Sequence, residues 1–191
     1  MKLLSLILAG ICLVISAVSS VEAKEFKTDS YSVEVPNGCK TESEQNRFSD
    51  DARFDCKAGY GFEFELEGSP YTGTDVELPN QLLTVIEEKW GPTEEVERGI
   101  DKYIINNQTA PYVQATYEQT FTTYFGMPGD SEDWVYMVVG IKMGDDMLYA
   151  QYKNDQNNFD KELKVFEKVL KSIEVKKSGS NSTSSNQTAG I

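Results

Sequence analysis

Phe62, Phe64 and Leu66 alternate with Glu63, Glu65 and Glu67, the clearest one-sided strand pattern in the chain. Gly68-Ser69-Pro70 ends it, and Ala58-Gly59 turns into it from a shorter strand at Arg53 to Cys56. Tyr31, Val33 and Val35 alternate with Ser32 and Glu34, and Pro36-Asn37-Gly38 closes that strand. Pro79 to Trp90 predicts a helix. Pro suits its first position, Leu82, Ile86 and Trp90 form one stripe, and Gly91-Pro92 is a stop. Weaker strand patterns follow near Val96 to Ile105 and Tyr112 to Phe121. Gly126 to Asp130 reads as a loop.

Trp134 to Ile141 is nearly continuously apolar and belongs in the middle of a sheet. Gly144-Asp145-Asp146 predicts a hairpin turn into Met147 to Tyr152. The last helix is the strongest. Phe159, Leu163, Phe166, Leu170 and Ile173 recur at steps of four and three, and Asn157 or Asn158 can cap its start. Asp160 with Lys164 and Glu167 with Lys171 have the spacing of supporting ion pairs. Strands, a helix, more strands and a final helix predict an α+β fold, an antiparallel sheet covered by helices.

The ends differ from this middle. Met1-Lys2, the apolar run Leu3 to Val18 and the small-residue exit to Ala23 have the form of a cleaved secretory signal over residues 1–23. The run is short for a membrane span, and the expected mature chain contains no other. Residues 178–191 read SGSNSTSSNQTAGI, with neither aromatic nor charged side chains, and predict a disordered tail. Residues 24–177 are then a single domain, secreted or held in the cell envelope.

The formal charge is −13, which opposes nonspecific nucleic-acid binding. Histidine is absent, which removes Ser-His-Asp and Cys-His catalysis, HExxH zinc sites and a histidine pH switch. No cofactor is expected. Cys12 leaves with the signal, so Cys39 and Cys56 remain. An even pair in an exported chain points to a disulfide, which would stabilise the fold by roughly 3 kcal/mol. The alternative is two free thiols or soft metal ligands, though the spacing is far from CxxC and no other soft ligand exists.

The chain resembles the PsbP-like superfamily. Three stretches carry the resemblance: Asp29 to Gly38, reading DSYSVEVPNG; the strand pair Ala52 to Glu67; and Met147 to Val175, the family's last strand, polar turn and closing helix ending in Leu-x-Ser-hydrophobic. The resemblance implies an α/β/α sandwich around a central antiparallel sheet. It also implies binding and assembly rather than chemistry. Cys39 stands where the family often has tryptophan, and Thr72 to Leu78 matches no functional signature, so no partner carries over.

Several groups are candidate sites. Lys161, Lys164, Lys168 and Lys171 share one face of the last helix, with Lys176 and Lys177 beyond, a basic ridge that could dock an acidic partner; the plain reading is a solvated helix face. Asp130, Glu132 and Asp133, and separately Asp145 and Asp146, could offer oxygens to calcium in a calcium-stabilised domain, but they lack the EF-hand spacing. Glu63, Glu65 and Glu67 could supply paired carboxylates for a glycoside hydrolase of envelope polysaccharide, or form an ordinary exposed sheet face. Tyr112, Tyr117, Phe121, Tyr124 and Phe125 could line a groove. Asn107, Asn181 and Asn186 open N-glycosylation sequons. These readings favour a non-catalytic exported protein that binds an envelope or extracellular partner.

Overall fold

A computed structural model describes residues 23–42, 51–57, 61–71, 73–74, 77–122 and 128–176. Residues 1–22 of the expected signal over 1–23, and the expected tail 178–191, lie outside the described residues. The elements are β1 (Ala23–Lys27), β2 (Tyr31–Pro36), β3 (Lys40–Glu42), β4 (Ala52–Asp55), β5 (Glu63–Pro70), α1 (Leu78–Trp90), β6 (Glu95–Ile105), β7 (Gln108–Thr122), β8 (Pro128–Met143), β9 (Asp146–Asp155), α2 (Phe159–Ser172) and β10 (Glu174–Val175). The protein is α+β, with antiparallel pairing throughout these strands.

The strands form two sheets rather than the one expected. β3-β4-β5-β9-β8-β7-β6 is a seven-stranded sheet, and β1-β2-β10 is a separate three-stranded one. The alternation at Tyr31, Val33 and Val35 identifies a strand but not its partners. Those side chains bury into the same apolar cluster as Phe64, Tyr152 and Phe166. β2 meets that cluster through α2, with Glu34 N–H donating to Ser172 Oγ at 3.0 Å.

Alternation in the central strands builds a core on each face of the large sheet. Tyr112, Met137 and Val139 pack with α2 residues Phe166, Val169 and Leu170. Their neighbours Val113, Ala115, Tyr136 and Val138 pack with Leu82 and Ile86 of α1. β8 lies between β7 and β9, as its apolar run requires. Burying each of Leu82 and Ile86 contributes about 1.5–3 kcal/mol.

The turns follow from local chemistry. Asn106 (φ 52°) and Asn107 (φ 60°) join β6 to β7 in a two-residue turn, and asparagine tolerates that left-handed backbone. Gly144 (φ 74°) opens the β8–β9 hairpin. In β6 the pairing jumps from Gly99↔Tyr112 to Tyr103↔Ala110, so residues 100–102 oppose Pro111 alone. Proline has no N–H for the ladder, and the bulge falls where that donor is missing. Pro128 to Asp130 belong to β8 rather than to a loop, because the β7–β8 hairpin extends to Thr122↔Pro128. Gly126 and Met127 lie outside the described residues.

Asn158 occupies the N-cap position of α2 without a side-chain cap bond. Asp155 organises that turn instead. Its Oδ1 accepts from the N–H groups of Asn157 and Asn158, both at 3.1 Å, and its Oδ2 accepts from Asn158 Nδ2 at 2.8 Å. Cys39 and Cys56 form a disulfide across 17 residues, tying the end of the β2 turn to the end of β4. Among the described residues, no helix is long and apolar enough to cross a membrane.

Candidate functional site

α1 covers β7 and β8 and leaves the β4–β5–β9 part of the same sheet face to polar side chains. The strand pattern predicted this: Phe62, Phe64 and Leu66 are buried, and the three glutamates point the other way. Register then fixes the neighbours. Arg53 lies opposite Glu65 on β4; Lys153, Gln151 and Tyr149 lie opposite Glu63, Glu65 and Glu67 on β9. Opposite charges in such positions are the favourable arrangement across a sheet.

Each glutamate has a partner. Arg53 Nη2 donates to Glu63 Oε2 at 2.8 Å, and Lys57 also pairs with Glu63. Arg53 Nε lies 3.5 Å from Glu65 Oε1, and Lys89 from the last turn of α1 pairs with Glu65. Gln151 is 1 % exposed and satisfied on both sides. Its Nε2 donates to Glu67 Oε2 at 2.9 Å, and its Oε1 accepts from the Tyr136 hydroxyl at 3.1 Å. Glu42, Asp51, Arg53, Glu65, Glu67 and Lys89 line a groove of about 360 Å³ beside this row.

Burial pushes the Glu63 carboxyl up, but hydrogen bonds and charge from Lys57 and Arg53 outweigh it and hold the group below its ordinary range. A carboxyl depressed in the folded state adds stability above its unfolded pKa, and loses it as pH falls through the carboxylate range. Glu63→Gln should therefore destabilise the protein at pH 7 by under about 1 kcal/mol, because Arg53 and Lys57 are well exposed. Urea unfolding at pH 7 and pH 3 checks this: the difference between wild type and variant should vanish at the lower pH. A difference that persists would contradict the assignment.

At the end of α1 the polar face becomes aromatic. Trp90 stacks on Tyr117 with centroids 5.6 Å apart and lies 5.4 Å from Tyr136. Lys153 places its ammonium 4.0 Å from the centroid of the Trp90 ring and 4.5 Å from that of Trp134, with Tyr117 at 5.9 Å. Burial lowers the Lys153 pKa, and Glu63 opposes that shift. Burial also raises the Tyr117 and Tyr136 hydroxyls well above their ordinary value.

The other predicted residues are dispersed. Lys161, Lys164, Lys168 and Lys171 are all exposed on α2, and Lys161 lies 3.4 Å from Glu162. Lys176 instead binds the chain, its N–H donating to Ser30 O and its ammonium to Thr28 O. Glu132, Asp133 and Asp155 rim a groove of about 580 Å³ with Trp134. No three metal-ligating side chains converge among the described residues. Asp145 and Asp146 sit exposed at the β8–β9 turn. Tyr112 and Tyr117 fall on opposite faces of β7, because they stand five positions apart, an odd offset, and strand periodicity is two. They cannot line one groove. Tyr124, Phe125 and the side chain of Phe121 lie outside the described residues, as do Lys177, Asn181 and Asn186. Asn107 is exposed at the β6–β7 turn. The Lys153–Trp90–Trp134 group was missed in the sequence. Its signal was Tyr149, Gln151 and Lys153 alternating with buried Leu148, Ala150 and Tyr152.

No protein-family model and no curated protein matches the chain. Solved structures do. The chain is similar to the Ran-binding protein Mog1p of Saccharomyces cerevisiae, at TM-score 0.52 and 11 % identity over 82 % of this chain and 96 % of that one. A mutant Mog1 matches at TM-score 0.53, also with 11 % identity, over 81 % and 96 %. Cyanobacterial PsbP from Synechocystis sp. PCC 6803 gives TM-score 0.48 and 14 % identity, over 88 % and 99 %. A Bacteroides thetaiotaomicron protein gives TM-score 0.43 and 11 % identity over 78 % of this chain, which spans 46 % of that protein's length. The Mog1 matches define the class: an α+β protein of PsbP-like fold.

Proposed function

We propose that the protein is an exported, non-catalytic binding or assembly factor that docks an acidic envelope or extracellular partner on the basic ridge of α2. One observation carries this reading: Lys161, Lys164, Lys168 and Lys171 stand exposed in line, while Phe159, Phe166, Val169 and Leu170 seat the opposite side of the helix in the core. Such a ridge is a fixed array of cations on a protein of formal charge −13. The Ran-binding activity of Mog1p supports a binding role for the fold. Glu63, held ionised by two cations, lacks the raised pKa of a general acid, which weighs against the glycosidase alternative.

The same reading takes residues 1–23 as a cleaved signal, 24–177 as one domain with the layers of an α/β/α sandwich, and 178–191 as a disordered tail. The disulfide suits an oxidising compartment. Asn107, exposed in its turn, and Asn181 and Asn186 in the tail are the sequons that a glycosylating host would modify; endoglycosidase treatment should then reduce the mass of the protein.

Capture from the host envelope with the full chain, beside a variant carrying all four changes Lys161→Glu, Lys164→Glu, Lys168→Glu and Lys171→Glu, tests the docking role. The wild type should retain one specific partner that the variant loses. A partner retained by both would remove the ridge from the reading.

A further inference from the structure

Lys153 is an unusual guest in its surroundings. Its ammonium lies near the faces of two indoles, 4.0 Å and 4.5 Å from their centroids, and among the described residues it makes no ion pair. Glu63, its neighbour across the strands, is already committed to Arg53 and Lys57. A primary ammonium is compact and strongly hydrated, so a site that strips water and returns mainly π-face attraction suits it poorly. The same site suits a weakly hydrated alkylammonium ion, which gives up less hydration to enter. Two further facts concern the walls. Tyr117 is 4 % exposed and, among the described residues, neither its hydroxyl nor the buried Trp134 indole N–H has a hydrogen-bond partner. The rings also hold one another in place: Trp90 stacks on Tyr117, and Trp134 lies opposite Tyr117 in the register.

We propose that Trp90, Trp134 and Tyr117 form a binding site for a small alkylammonium ion, with Lys153 as its built-in occupant and competitor. The lysine stem is long and half-exposed, so its head can leave for water while the rings stay in place. Once it leaves, Glu63 and Asp155 remain as acidic neighbours along the same strand face. Arg53, Lys57 and Lys89 are the opposing cations, and each is already paired with Glu63 or Glu65. Quaternary ammonium groups are the ligands for which rings arranged in this way supply the main attraction.

Trp90 and Trp134 are the chain's two tryptophans, so fluorescence excited selectively at tryptophan, beyond the absorption of its 10 tyrosines, reports on this site. Tetramethylammonium chloride added to the full chain should change the emission saturably, and sodium chloride at equal ionic strength should not. Lys153→Gln removes the competitor and should tighten binding by about tenfold. Trp134→Leu should abolish the saturable change. Choline in place of tetramethylammonium should also bind. Phosphatidylcholine vesicles that reproduce the change would place the group on a lipid headgroup, and choline acting alone would place it on a free solute. Absence of saturation in Lys153→Gln, or an identical response to sodium chloride, would overturn the proposal, and neither readout depends on Trp134→Leu folding.

Discussion

Phe166→Ala should lower the unfolding free energy by about 3–5 kcal/mol, the largest loss expected from one side chain here. Phe166 is fully buried, stacks on Tyr152 with centroids 4.9 Å apart and lies 6.0 Å from Phe64. It joins α2 to β5 and β9, so its removal both opens a cavity and loosens the helix that presents the lysine ridge. Phe166→Leu keeps most of the volume and should cost under about 1.5 kcal/mol. Urea unfolding of the two variants checks the pair of values. Similar losses for both would show that the site collapses around the smaller side chain and that the stacked core is not the anchor of α2.

Changing both Cys39 and Cys56 to alanine should cost about 3 kcal/mol, from the unfolded-chain entropy of a loop spanning 17 residues. In a domain of this size that is a fall in Tm of roughly 10 °C. The crosslink is the covalent tie between the three-stranded sheet's turn and the β3–β4 edge of the large sheet. That edge is short: β3 has 3 residues and β4 has 4, so few ladder hydrogen bonds hold it. Reduction of the wild type should reproduce the loss measured for the double variant. An unchanged Tm in either case would show that the β3–β4 edge is held without the covalent tie.

Much of the fold is legible in the sequence where a period is sustained. The stripe of α2, the alternation of β5 and the apolar run of β8 each identified an element, because each has one buried face that the period reveals. Short or polar elements were hidden. β1, β3 and β10 have no fully buried residue to reveal a period; β1 and β3 pair with the next strand along the chain, and β10 pairs with the distant β2. The division into two sheets was equally hidden, since alternation at Tyr31, Val33 and Val35 records burial but not partners. At the candidate site, the glutamate row could be read and its neutralisation could not. The pairing of Glu65 with Arg53 and Lys89 joins positions on β4 and α1 that only the register and the helix docking bring together. The Lys153 clamp is drawn from α1, β8 and β9: the alternation of β9 puts Lys153 on the polar face, and only the fold brings the two indoles to it.

Photo-crosslinking in the native host tests the central claim most directly. A photoreactive residue at Lys164 or Lys168 samples the ridge, and one at Asp145 or Asp146 samples an exposed turn elsewhere on the protein. The account predicts a single adduct of one defined mass from the ridge positions and none from the turn. Adducts of equal yield from both places, or none from the ridge, would contradict docking through α2.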